Sequence, residues 1–131
     1  MKYLTLSSVI IILLIPIGVY SASIKENYEL SERCGKICKE YFNNTILPKV
    51  LITDNFKYEN HYNKKLNKCF IVIMSRFFGG NRSIILIDVN ENKEYGAIFL
   101  YEKELVHCSV LDKECKSEKE WDFLVKPYME E

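Results

Sequence analysis

Cys69-Phe70-Ile71-Val72-Ile73-Met74 and Ile84-Ile85-Leu86-Ile87-Asp88-Val89 decide the fold of this chain. Both are short, rich in β-branched residues, and apolar at odd and even positions alike. A strand points successive side chains to opposite faces, so such runs belong to central strands. Gly79-Gly80-Asn81 lies between them and supplies a turn. Working outward, residues 56–62 read as a strand that turns at Asn63-Lys64 into the stretch 66–76. Beyond Val89, Asn90-Glu91-Asn92 turns the chain into residues 95–101. Residues 105–111 follow, with a turn near Asp112-Lys113.

Helical periodicity brackets these strands. Over residues 27–43, Leu30, Cys34, Ile37, Cys38, Tyr41 and Phe42 form one continuous stripe, with Glu29, Glu32, Arg33, Lys36, Lys39 and Glu40 opposite. Asn43-Asn44 is a stop signal. Residues 45–54 carry no clear pattern, and Pro48 breaks any helix there. Ser117-Glu118-Lys119-Glu120 is a capping box, after which Trp121, Leu124, Val125 and Tyr128 recur at helical spacing. Pro127 lacks an amide hydrogen, so the helix should kink or finish there. The expected fold is α+β: an N-terminal helix packed on an antiparallel sheet of four to five strands, with a short C-terminal helix.

The N-terminus carries a different signal. Lys2 precedes an unbroken apolar run over residues 9–15, followed by Pro16, Gly18 and Ser21-Ala22-Ser23. A positive start, a short apolar stretch and small residues behind it make an export signal. The run is shorter than the ~20 apolar residues of a spanning helix. Residues 1–23 are therefore read as a signal peptide and 24–131 as one domain, exported to the periplasm or beyond. Lys2 is the signal's one charge, which leaves 17 basic and 18 acidic residues in the mature chain. So even a balance gives no electrostatic case for nucleic acid or an anionic membrane.

All five cysteines lie in the mature part, and in an oxidising compartment five make two disulfides and an odd thiol. Cys34 and Cys38 are one helical turn apart, with Cβ atoms about 5–6 Å from each other. A disulfide requires about 3.5–4.5 Å, so these two do not bridge. Cys108 and Cys115 flank a six-residue turn segment and can face each other across a hairpin. Cys69 is left for Cys34 or Cys38. No CxxC pair is present, and no metal or other cofactor is expected.

Three stretches carry a resemblance: His61-Tyr-Asn-Lys-Lys-Leu-Asn-Lys-Cys-Phe70, Glu91-Asn-Lys-Glu-Tyr-Gly96, and the ending from Cys115 to Met129. Together they resemble a group of small exported bacterial proteins with no assigned activity. The resemblance implies a bacterial exported domain. It also implies cysteines matching Cys34, Cys69, Cys108 and Cys115, which makes Cys38 the departure and the odd thiol.

Few residues suggest chemistry. His61 and His107, aided by Lys64, Lys65 or Lys68, are the acid and base a small secreted ribonuclease would need. Strand alternation, however, sets His107 opposite to its neighbour Cys108, and no basic groove gathers a phosphate chain. There is no GxSxG elbow, and Gly79-Gly80 lacks the rest of a phosphate loop. Asp88, Glu91 and Asp112 do not make a calcium loop. Cys38 lies in the apolar stripe, where burial makes a thiol inert. Lys64, Lys65 and Lys68 with Tyr58 and Tyr62 read as a solvated hairpin tip. Asn43 and Asn81 head glycosylation sequons, unused in a bacterial host. The expected function is a non-catalytic exported module that binds a protein or envelope component. A small hydrolase using His61 and His107 and a secreted enzyme inhibitor are the alternatives.

The exported protein should begin between Ala22 and Lys25, where small residues occupy both −1 and −3 relative to the cut. Intact-mass analysis would verify it, whereas membrane-bound protein that retains Met1 would contradict it.

Overall fold

The computed structural model describes residues 17–49 and 55–130, so the apolar run over residues 9–15 lies outside the described residues. Helix α1 (Ile17–Tyr41) passes through a π turn (Phe42–Ile46) into a 3-10 turn (Leu47–Lys49). Six strands follow: β1 (Asn55–Asn63), β2 (Lys68–Arg76), β3 (Arg82–Asp88), β4 (Lys93–Tyr101), β5 (Glu104–Val110) and β6 (Lys113–Glu114). Helix α2 (Glu118–Met129) closes the chain. The strands pair in sequence order as one antiparallel meander, β1 to β6. This is the α+β order expected from the sequence, with one more strand than expected, a two-residue segment paired to the end of β5.

Two-sided burial of the central strands organises everything else. On one face Cys69, Ile71, Ile73, Ile87 and Val89 meet Cys34, Cys38 and Phe42 from α1 and its π turn. On the other, Phe70, Val72, Leu86, Ile98 and Val110 meet Trp121 and Val125 of α2. The sheet is thus the middle layer between two helices. Phe70, Ile71, Leu86 and Ile98 are fully buried, each worth about 1.5–3 kcal/mol relative to exposure.

Each helix has its own fastening. Cys34 is bridged to Cys69, with Cα atoms 5.4 Å apart, so α1 is tied covalently to β2. Helix α2 is held without covalent help. Trp121 lies over Gly96, where a Cβ would stand 2.6 Å from the Ser109 carbonyl oxygen and 3.0 Å from Trp121 Cζ3. The buried Asn63 amide donates to the carbonyls of Pro127 and Tyr128 at 2.9 and 3.2 Å. The last carbonyls of a helix have no partner within it, so one side chain at the end of β1 both caps α2 and anchors it.

Three boundaries depart from expectation. Helix α1 starts ten residues before the expected Asn27 and runs through the expected cleavage region. No glycine or proline falls between Gly18 and Asn27, and its additional residues from Ser23 to Glu26 are exposed. At the other end the chain widens into the π turn where Asn43-Asn44 signals a stop. In α2, helical structure continues two residues past Pro127 to Met129. Among the described residues, no helix is long and apolar enough to cross a membrane.

Two bulges shape the sheet. Leu86 faces Gly96 and Ile87 faces Glu94, leaving Tyr95 as an extra residue. Phe99 faces His107 and Leu100 faces Leu105, leaving Val106 extra. At the β2–β3 turn, Gly79 and Gly80 take φ of 78° and 79°, a conformation that glycine adopts without steric cost.

The two disulfides should contribute unequally. Cys34–Cys69 closes a separation of 35 residues and Cys108–Cys115 one of 7, worth about 4 and about 2.5 kcal/mol in the loop-entropy account. A Cys69→Ser variant should therefore have a lower urea midpoint than a Cys108→Ser, Cys115→Ser double variant at the same pH. The reverse order would mean that the hairpin bridge outweighs loop entropy.

Candidate binding surface

The two histidines do not form a pair. His61 lies on β1 opposite Phe70, on the face covered by α2. His107 lies on β5 opposite Phe99, on the other face, because its neighbour Cys108 pairs with Ile98. Four strand spacings, roughly 19 Å, separate the two strands. His107 Nε2 hydrogen-bonds Ser109 Oγ at 3.0 Å, and its ring stacks on Phe99 with centroids 5.9 Å apart. Proton transfer needs both groups within hydrogen-bond reach of one reacting atom, so this arrangement cannot serve as an acid–base dyad.

The cysteines make a three-sulfur group in the α1 layer. Cys38 is free and fully buried, and its Sγ lies 3.3 Å from Cys69 Sγ. Burial pushes the Cys38 thiol up to about 12, so at neutral pH it is protonated and a poor nucleophile.

The buried polar side chains Asn63, Ser75, Ser83 and Asp88 are engaged in building the fold. Asp88 is fully buried at the end of β3, and its Oδ1 accepts from the amides of Asn90 and Glu91 at 3.0 and 3.3 Å. Its other oxygen is paired with Lys68, which also reaches Glu91 Oε1 at 2.7 Å. Asp88 and Glu91 together raise the Lys68 pKa by accepting its hydrogen bonds. The expected solvated hairpin tip therefore loses Lys68 to a structural ion pair, while Lys65 remains exposed. Beside this cluster, the rings of Phe70, Tyr95 and Tyr128 contact one another edge-on, with centroids 5.1–5.4 Å apart. Lys68 and Lys93 lie 5.6 and 5.5 Å from the centre of the Tyr95 ring. The three stretches singled out in the sequence thus converge: Asn63, Lys68 and Phe70 from the first, Tyr95 and Gly96 from the second, Trp121 and Tyr128 from the third.

Exposed apolar side chains are found at Phe77 and Phe78 by the β2–β3 turn, at Ile24 and Tyr28 on α1, and around the β5–β6 hairpin, where they line a cleft. The Cys108–Cys115 bridge closes this hairpin, and Leu111 Nα donates to the Tyr95 carbonyl at 2.6 Å. Leu111 takes φ of 53°, a left-handed conformation costing a non-glycine residue on the order of 1 kcal/mol. Its side chain is nevertheless 48% exposed. Across a cleft of about 380 Å³, lined also by Leu124, Pro127 and Tyr128, stands Phe123, 76% exposed. The rim carries both signs of charge, Asp112 and Glu130 against Lys113 and Lys126.

The adjacent sheet edge is less suited to recognition. Among the described residues β6 pairs with Ser109 and Val110 alone, leaving Glu104 to His107 paired with β4 on one side and without a strand on the outer side. The Val106 bulge falls within that stretch, and a bulge twists an edge away from further pairing. The cleft was missed in the sequence, although one signal was present. Phe123 falls off the stripe of Trp121, Leu124, Val125 and Tyr128, an aromatic residue on the face meant for water. Comparison with protein-family models, with curated proteins and with solved structures finds no match to this chain.

Proposed function

We propose that this chain is a small exported domain that acts by binding another protein, and that the cleft between α2 and the β5–β6 hairpin receives an apolar side chain of that partner. The observation that carries this reading is the pairing of Leu111 and Phe123. Two large apolar side chains stand exposed on opposite lips of one cleft, and one is held there at a conformational cost. Buried apolar anchors surrounded by a polar rim provide most of the energy of protein interfaces. The mixed rim charges favour a partner without strong net charge over nucleic acid. Two disulfides fit a protein working in an oxidising compartment. The separation of His61 from His107 removes the acid–base pair that the sequence offered for hydrolysis.

A photo-crosslinking residue at position 123 should capture a defined protein in producing cells, while the same group at Lys57, on the far sheet edge, should not. With that partner purified, Phe123→Ala should weaken binding at least roughly tenfold. Circular dichroism should be unchanged, because an exposed substitution shifts stability by only about 0.5 kcal/mol or less. Equal capture at both positions, or unchanged affinity in the variant, would refute the cleft. A hydrolytic turnover in the purified mature protein that disappears in His61→Ala or His107→Ala would refute the non-catalytic reading.

A further inference from the structure

The helix-to-sheet bridge has a third sulfur within reach. Cys34 and Cys38 project from the same side of α1, one turn apart, and both meet Cys69. Cys69 Sγ is bonded to Cys34 and stands 3.3 Å from Cys38 Sγ. All three sulfurs lie within 4.8 Å of one another, in a pocket of α1 and β2 side chains. Their surroundings differ. Cys34 and Cys69 line a small cleft of about 200 Å³ together with Arg33, Tyr62 and Asn67, and Cys38 is not among its lining residues.

We propose that Cys34, Cys38 and Cys69 form a disulfide-exchange site, in which the bridge moves from Cys34–Cys69 to Cys38–Cys69 and frees Cys34 as a thiol facing this cleft. The step balances within the chain. Deprotonated Cys38 attacks Cys69 Sγ, a Cys38–Cys69 bond forms, the Cys34–Cys69 bond breaks, and its electron pair leaves on Cys34. The proton given up by Cys38 ends on Cys34, and no oxidant or reductant is consumed. The sulfurs form a triangle, whereas exchange proceeds along a line of three, so a side-chain rotation at Cys34 or Cys69 must precede it. The two isomers are not equivalent chemically. In the present one the free thiol is Cys38, buried and shielded. In the other it is Cys34, which lines the open cleft and is therefore the more accessible thiol. The isomer with Cys34 free is the one able to react with a small disulfide or a soft electrophile entering the cleft.

Two experiments decide the matter. Oxidised Cys34→Ser protein, mapped by non-reducing peptide mass spectrometry, should contain a Cys38–Cys69 linkage and no free thiol. Free Cys38 and Cys69 after denaturation would overturn the proposal. Should that variant fail to fold, the native chain provides the answer. Prolonged incubation with iodoacetamide at neutral pH should place the label on Cys34 in roughly tenfold excess over Cys38. The labelled species should carry the Cys38–Cys69 linkage, and its rate of formation should not vary with protein concentration. Label confined to Cys38, no label at all, or a rate that rises with protein concentration would each overturn it.

Discussion

A pair of strands that is apolar on both faces cannot lie at a protein surface. Strands β2 and β3 impose that constraint here, and the rest of the molecule answers it. One helix is needed on each side of the sheet, and the chain supplies them from its two ends. The meander between them keeps every strand next to its sequence neighbour, so no long crossover is required. The two covers are secured differently. Helix α1 is cross-linked to β2 through Cys34 and Cys69, whereas α2 relies on Trp121 fitting over Gly96 and on Asn63 holding its final carbonyls.

The same constraint accounts for the polar residues near the core. Asp88 ends an apolar strand under cover, and its carboxylate is satisfied by two backbone amides and Lys68. Ser75 and Ser83 are buried across from one another in β2 and β3 and share a hydrogen bond. Buried polar groups without partners would cost about 1–3 kcal/mol each, so these residues are occupied by the fold. Function is therefore sought where side chains are left over. Phe123 and Leu111 contribute little to the core, and they stand together.

Much of the architecture was legible in the sequence, for identifiable reasons. The doubly apolar runs at Cys69 and Ile84 located the sheet centre. The stripe from Leu30 to Phe42 located α1. The capping box works as its pattern suggests at Ser117, whose Oγ accepts from the Glu120 amide at 3.2 Å; the Glu120 carboxylate reaches the amide of Lys116 rather than that of Ser117. The opposite placement of the helices was not legible, because an amphipathic pattern says which side of a helix is buried and not which face of the sheet receives it. The cleft was hidden for a related reason. It depends on Leu111 taking a left-handed conformation at the end of β5, which no local pattern specifies. Nor did spacing reveal that His61 and His107 sit on opposite faces; the register, set in part by the Val106 bulge, determines it.

The central claim, that the sheet cannot stand without a helix on each face, can be tested with the chain's single tryptophan. Trp121 is buried beneath α2 at 2% exposure, so its fluorescence reports undocking of that helix, while far-UV circular dichroism reports the sheet and both helices. In a urea titration the two signals should trace one coincident transition. A fluorescence change at lower urea, with the circular dichroism still native, would show a sheet that persists with one face uncovered and would contradict the account.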